Sequence, residues 1–373
     1  MRSRTNFIIT KSEVQRLAEE WLRSAFGFRY EGTKCSASLI YRILLLAASR
    51  VVSIAAACRS VADAVCGETL LDVLGQLLPA RAELERRANR ALVGSLPKVF
   101  TQAKRSWRIA IDLTLIPYHG KPLVDERELY RSKAHSGTTK FHAYATAVVV
   151  HRGLRYTLAL TRVDRGEPLK EIVQRLLATV RQRGVKVRFL LLDKAFFQVS
   201  VITSLKRAGH GFVMPAFARG RKPKGNKPLK GLRALLKKCN GFYSHTMTGK
   251  RGSKKNAKTT FQVCVTSKAF TYEKTGERVH KKMMFAVHKV AGRPREIREL
   301  YRKRFGIETS YRQMNQARIP TCTRCPRMRL LYFAVALVLR NVWVWIHFQF
   351  AKRKMTDEPQ VFLELLRFGD LLH

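Results

Sequence analysis

Two carboxylates stand where an apolar strand would be expected to carry none. Asp112 lies inside the run IAIDLT, and Asp193 directly follows VRFLLL. Uninterrupted apolar runs of this length suit strands buried within a sheet. An acid at or near the end of such a strand is costly unless a metal, an ion partner or water meets it. Side by side in one sheet, two such acids repel and raise one another's pKa unless a cation sits between them. Mg²⁺ suits that position, because it takes carboxylate oxygens and keeps other places for water and phosphate. A pair of such ions about 4 Å apart activates an attacking oxygen and stabilises a leaving one. Most single acids at strand ends are ion-paired or capping residues. Here both strands fit one sheet, and few other acids lie nearby.

Glu308 is the third acid of interest. On an ideal helix, Tyr301, Arg304, Glu308, Tyr311, Arg312 and Asn315 fall within an arc of about 100°. That face offers hydroxyls, guanidiniums, a carboxylate and an amide, so it is no core stripe. A solvated face with an Arg304–Glu308 pair four residues apart has the same pattern, and such a pair contributes only about 0.2–0.5 kcal/mol.

The elements that must hold these acids follow from periodicity and breakers. Trp107–Leu115, Phe141–His151 and Leu154–Val163 read as strands, with Gly153 in the turn between the last two. Pro168–Arg183 has helical periodicity with proline near its start, and Val185–Leu192 reads as a central strand. Three strands, a helix and a further strand is the order that opens a ribonuclease-H-like sheet. The expected fold is therefore α/β, a mixed sheet with flanking helices. Residues 1–104 are expected to form a helical N-terminal DNA-binding region, 105–205 the first part of the catalytic domain, 206–290 a β-rich basic insertion, and 291–373 the second part with C-terminal helices. Strand-like pieces in the insertion are Phe242–Met247, Thr259–Ser267 and Met283–Lys289. Pro294–Arg318 reads as one long helix that tolerates Gly306, and Pro359–His373 as a short terminal one. In the N-terminal region, Ser53–Val65 and Glu68–Leu78 flanking Cys66–Gly67 fit either a helix-turn-helix or an ordinary helical bundle.

Charge points to a polyanionic partner. The chain has 373 residues, with 72 Lys plus Arg against 26 Asp plus Glu, a formal charge of +46. From Lys194 through Tyr272 there is no acid at all, and Lys206–Lys258 holds sixteen Lys or Arg. Self-repulsion of this size is relieved by nucleic acid. Residues 1–10 contain no apolar run, so no secretory signal is expected. Leu330–Phe350 is long enough for a membrane span, but Arg340 and Asn341 at its centre make it a buried core helix in this reading. Seven scattered cysteines fit free thiols in a reducing compartment. Cys322 and Cys325 form a lone CxxC, short of the four ligands that a structural zinc site takes. His119, His142 and Asp164 read as surface, core or loop residues, and Lys194 as a surface lysine or a DNA contact.

The run Tyr301-x2-Arg304-x3-Glu308 resembles the signature around the catalytic Glu of the DDE insertion-sequence transposases that carry the Y-(2)-R-(3)-E-(6)-K motif. IDLT around Asp112 and LLDKAFF around Asp193 are similar to that group's first and second acidic motifs. The resemblance spans about Trp107 to Trp345. It implies that Asp112, Asp193 and Glu308 bind two Mg²⁺ ions, for which Mn²⁺ substitutes. It implies strand cleavage and strand transfer on double-stranded DNA, at terminal inverted repeats and target, by a homodimer assembled on DNA. It also implies a bacterial or archaeal, nucleoid-associated protein. Tyr301 and Arg304 would contact transposon-end phosphates, and Arg312, Arg318 and the insertion lysines Lys222, Lys224, Lys254 and Lys255 are read as further DNA-binding residues. The signature's Lys falls on Asn315, and Arg312 or Arg318 would supply its charge. Some relatives pass through a DNA hairpin stabilised by an aromatic of the insertion. This insertion has no Trp, which leaves Phe242 and Tyr243. A nuclease that does not rejoin strands and a non-catalytic DNA-binding derivative share most of these features.

Overall fold

The computed structural model describes residues 11–350 other than 33–34, 95, 152–153, 219–228, 250–256, 272–275 and 277. Lys222, Lys224, Lys254, Lys255, the turn glycine Gly153 and the expected terminal helix lie outside the described residues. The chain opens with α1 (Lys11–Phe26), the short pair β1 (Glu31–Gly32) and β2 (Cys35–Ser36), α2 (Ala37–Arg50), α3 (Ile54–Arg59), α4 (Gly67–Leu77) and α5 (Arg81–Leu92). Ser36 caps α2 by accepting from the Leu39 N–H at 3.2 Å. The helix stops at Val51, whose left-handed φ of 55° returns its N–H to Ala47 and Ala48.

The expected helix over Ser53–Val65 ends early, at Arg59. α4 exposes Glu68 and Asp72 and contains neither Lys nor Arg. Its solvent face would repel phosphate, which argues against α4 as a groove-reading helix. The N-terminal helices are instead part of the core. Asn89 of α5 donates to Leu160 O at 2.8 Å and accepts from its N–H at 2.7 Å.

The sheet then builds from β3 (Trp107–Pro117), β4 (Tyr130–His135), β5 (Thr138–His151) and β6 (Leu154–Val163), followed by α6 (Leu169–Gln182), β7 (Val187–Leu192), α7 (Val199–Arg207) and β8 (Phe212–Pro215). α6 buries Ile172, Val173, Leu176 and Val180, a stripe of helical spacing. β6, β5 and β3 pair antiparallel, and β3, β7 and β8 pair parallel. The resulting order β6-β5-β3-β7-β8 is the ribonuclease-H-like sheet, with helices packed on it.

α8 (Leu232–Leu235), β9 (Gly241–Thr248), β10 (Lys258–Thr271) and β11 (Arg278–His288) come next. All three expected insertion strands are present, but they form no separate sheet. β11 pairs with β8, so the central sheet runs on as β8-β11-β10-β9 to nine strands. β8 itself, inside the stretch expected to belong to the insertion, pairs with β7.

α9 (Pro294–Arg302), α10 (Gly306–Asn315) and α11 (Pro326–Phe350) close the described chain. The long helix expected from Pro294 is broken. A 3₁₀ turn over Lys303–Phe305 separates α9 from α10. Arg155 of β6 lies against Gly306 at the start of α10, where an added Cβ would meet its Nε at 2.5 Å.

α11 has the length and composition to cross a membrane, yet it is almost wholly buried among α1, α2, α5, α10 and β6. Its polar interruptions are satisfied. Asn341 accepts from the Thr157 N–H at 3.0 Å and donates to Thr157 O at 2.7 Å and Leu92 O at 2.9 Å, joining α11, β6 and α5. Arg340 donates to Arg155 O and to Gln313 Oε1, and burial lowers its pKa to about 9.

Candidate functional site

β3 and β7 run parallel with Ile111 beside Leu192, so Asp112 and Asp193 are each one residue past that pair. Adjacent strands lie about 4.8 Å apart. The two acids therefore leave the same end of neighbouring strands. α10 supplies Glu308 from above that end. Asp112 is buried, Asp193 half-buried and Glu308 exposed, giving a cluster closed at its base and open toward solvent.

One guanidinium reaches all three acids. Arg304 donates from Nη1 to Asp112 Oδ2 at 2.7 Å and from Nη2 to Glu308 Oε1 at 2.8 Å. Nη2 also lies 3.7 Å from Asp193 Oδ1. Arg304 is 5% exposed, and it packs on the rings of Tyr301 and Phe305 at 5.5 and 5.3 Å. Its Nε is buried and has no hydrogen-bond partner among the described residues. Burial works against its charge, while Tyr301 and the three carboxylates raise its pKa above the ordinary guanidinium value.

Asp112 also accepts from the Leu113 N–H at 2.9 Å. Burial lifts its pKa to about 6, and Asp193 and Glu308 push the same way against the pull of Arg304.

A buried strut fixes α10 to the sheet. The Tyr311 hydroxyl donates to Asp112 O at 3.1 Å. With that proton committed, Thr146 Oγ1, 2.8 Å away, is the donor to Tyr311. Thr146 is the register partner of Asp112 across β3 and β5. Sequence reasoning missed Thr146, because a threonine within AYATAVVV carries no signal. It also missed Phe305, which is 49% exposed beside Arg304.

The helix-face expectation is met only in part. Arg304, Glu308 and Tyr311 converge on the acids, whereas Arg312 and Asn315 are exposed and Arg318 is half-buried near Tyr144 and Arg329. Tyr301 is buried at 7%, with its pKa pushed above the usual tyrosine range by that burial. Arg304 and Tyr301 therefore face inward, toward the carboxylates. Lys194 is exposed directly after Asp193.

Other candidates lie elsewhere. His142 packs edge-on against Tyr118 at 4.8 Å and is held neutral by burial, its pKa down at about 3. Asp164 pairs with Arg81 at 2.6 Å. Phe242 is exposed on β9, four strand spacings from β7 or roughly 20 Å along the sheet. Tyr243 is engaged by Lys238, 4.9 Å from its ring, and by Cys239 O, which accepts from its hydroxyl at 2.9 Å. Cys322 and Cys325 are free thiols.

The donor set suits a hard divalent cation, since it is three carboxylates and no thiolate or imidazole. Their spacing is set by the guanidinium between them. Among the described residues, no three His, Cys, Asp or Glu side chains are spaced as placed to hold one ion. The site fits such an ion in chemistry and convergence, with Arg304 in the central position.

The pattern of the transposase DDE-domain family matches residues 103–340, more than half of the chain and inclusive of all three acids. Among solved structures, the chain is similar to the cryo-EM structure of a piggyBac transposase synaptic complex with hairpin DNA. The TM-score is 0.54 at 14% identity, over 99% of this chain and 81% of that one. No curated protein sequence gives a significant match.

Proposed function

The chain belongs to the transposase DDE-domain family, and on that premise we propose that it excises and joins DNA at insertion-sequence ends in a metal-dependent reaction. The observation that carries this reading is the convergence of Asp112, Asp193 and Glu308 on one guanidinium. DDE transposase domains generally use divalent metal ions. In this reading Asp112, Asp193 and Glu308 hold two Mg²⁺, with Mn²⁺ as a substitute. Bound there, the ions supply the Lewis acidity that activates the attacking oxygen and stabilises the leaving one.

The chain's own residues do the positioning. β3 and β7 present Asp112 and Asp193 from a rigid sheet. The Thr146–Tyr311–Asp112 strut sets the distance from the sheet to α10, and so to Glu308. Water frees a 3′-hydroxyl, which attacks the target strand in line, so orientation of the reacting groups carries much of the rate. Arg312 and Arg318 offer positive charge toward phosphate in place of the lysine that Asn315 replaces. Lys222, Lys224, Lys254 and Lys255 add to the basic insertion. The formal charge of +46 supports a double-stranded DNA partner and predicts steep loss of binding with salt. A homodimer on DNA in a bacterial or archaeal nucleoid completes the proposal, with membership of the Y-(2)-R-(3)-E-(6)-K group.

The test is cleavage of a supercoiled plasmid carrying the element's own ends, with Mg²⁺ or Mn²⁺, by wild type and Glu308→Gln. Metal-dependent excision and joined products from wild type, lost in the variant while DNA binding persists, support the proposal. Equal cutting by both removes Glu308 from the site. Cutting without joined products leaves a nuclease of the same fold.

A further inference from the structure

Arg304 is the cation that lies between the three carboxylates. Its Nη atoms lie 2.7 Å from Asp112 and 2.8 Å from Glu308, with Asp193 at 3.7 Å. Three carboxylates and one guanidinium leave a net charge of −2 at the cluster. The approach is from the Glu308 side, where the carboxylate side chain is 48% exposed, whereas that of Asp112 is 13% exposed and that of Arg304 5%. An ion arriving from solvent therefore meets Glu308 and Asp193 first and reaches Asp112 only where Arg304 now binds.

The guanidinium has somewhere to go. The rings of Tyr301 and Phe305 lie 5.5 and 5.3 Å from its central carbon, and a cation over an aromatic face keeps part of its stabilisation. Phe305 is 49% exposed, so a ring that Arg304 already packs on reaches the rim of the site. The 3₁₀ turn over Lys303–Phe305 places the arginine at a break between two helices, outside the regular ladder that would fix its backbone on both sides.

We propose that Arg304 is the resident counter-cation of the metal-free site, and that it gives up Asp112 to an incoming divalent ion and thereby sets the metal concentration the protein requires. This rests on the three-acid reading of the site. Arg304 is thus a positioning residue with two states. It holds the acids together before loading and competes with the ion for Asp112 during loading.

Competition makes an unusual demand: removing a residue from the site must tighten metal binding. The experiment is Mn²⁺ binding to the full chain without DNA, by calorimetry or by the paramagnetic resonance of free Mn²⁺, for wild type, Arg304→Gln, Arg304→Lys and Asp112→Asn. Affinity should rise at least about tenfold in Arg304→Gln, equivalent to about 1.4 kcal/mol. Arg304→Lys, which keeps the charge but loses the fork that spans Asp112 and Glu308, should fall between it and wild type. Should the Gln variant fail to fold, tighter binding by the Lys variant alone carries the same conclusion. Unchanged or weaker binding in the folded variants overturns the proposal and makes Arg304 a permanent brace. Equal Mn²⁺ binding by wild type and Asp112→Asn overturns the three-acid reading itself, and the proposal with it.

Discussion

Tyr311→Phe isolates the strut beneath the acids. The substitution keeps the ring and removes one fully buried oxygen, which both accepts from Thr146 Oγ1 at 2.8 Å and donates to Asp112 O at 3.1 Å. Thr146 is 0% exposed, so water cannot replace the lost partner without opening the site. Each orphaned buried polar atom costs about 1–3 kcal/mol, giving about 2 kcal/mol or more for the pair. The effect on chemistry is separate. Tyr311 is one helical turn from Glu308, and the strut sets how far α10 stands from β3. A displacement near 1 Å lowers the rate of an in-line reaction about 100-fold. Urea unfolding gives the first quantity, and single-turnover cleavage of end-bearing DNA the second. Thr146→Val supplies a double-mutant cycle, in which the pair should lose little more than Tyr311→Phe alone, because the phenylalanine already removes the bond to Thr146. A Phe variant within about 0.5 kcal/mol of wild type that cuts at the wild-type rate would refute the strut.

Two further outcomes follow from buried groups away from the acids. His142 titrates near 6.5 when free and at about 3 in the fold, so the unfolded chain binds the extra proton between those values. Stability contributed by neutral His142 is complete above about pH 6.5 and is lost as pH falls toward 3, at about 1.4 kcal/mol per unit. His142→Phe should therefore lose about 2 kcal/mol less than wild type between pH 7.5 and pH 5 in urea melts, and parallel losses would contradict the assignment. Asn341→Leu removes three hydrogen bonds that join α11, β6 and α5. It should lower stability by about 3 kcal/mol or more, read as a shift of the urea midpoint; a variant as stable as wild type would show that α11 packs without that amide.

Much of the catalytic sheet was legible because its signals are local. β6 spans Leu154–Val163 as its residues indicate, and β3, β5 and β7 agree with their runs to within a few residues at each end. The interrupted apolar run of α11 was also readable, since an arginine and an asparagine in a lipid-facing helix would have no partners. What escaped depends on distant parts of the chain. β8 has four residues, too few for alternation to register, and it exists because β7 and β11 flank it. The union of the insertion with the central sheet rests on the pairing of Phe285 with Pro215 and its neighbours, which no window of sequence contains. Helical periodicity carried straight through Lys303–Phe305, yet the turn there directs Arg304 inward. Spacing identified Arg304 as belonging to the site but not the direction of its side chain, because that direction comes from three acids supplied by three elements.

The pairing of β11 with β8 also bears on how such a chain can change in length. A strand added in register commits the backbone on both sides. Deleting β11 would bare the edge of β8, itself the immediate neighbour of the strand that carries Asp193. Among the described residues, β9 ends this sheet. A strand added beyond β9 would lengthen the sheet by about 4.8 Å and leave the register at Asp193 untouched. The reach of the sheet on this side can thus vary while the spacing of Asp112, Asp193 and Glu308 stays constant.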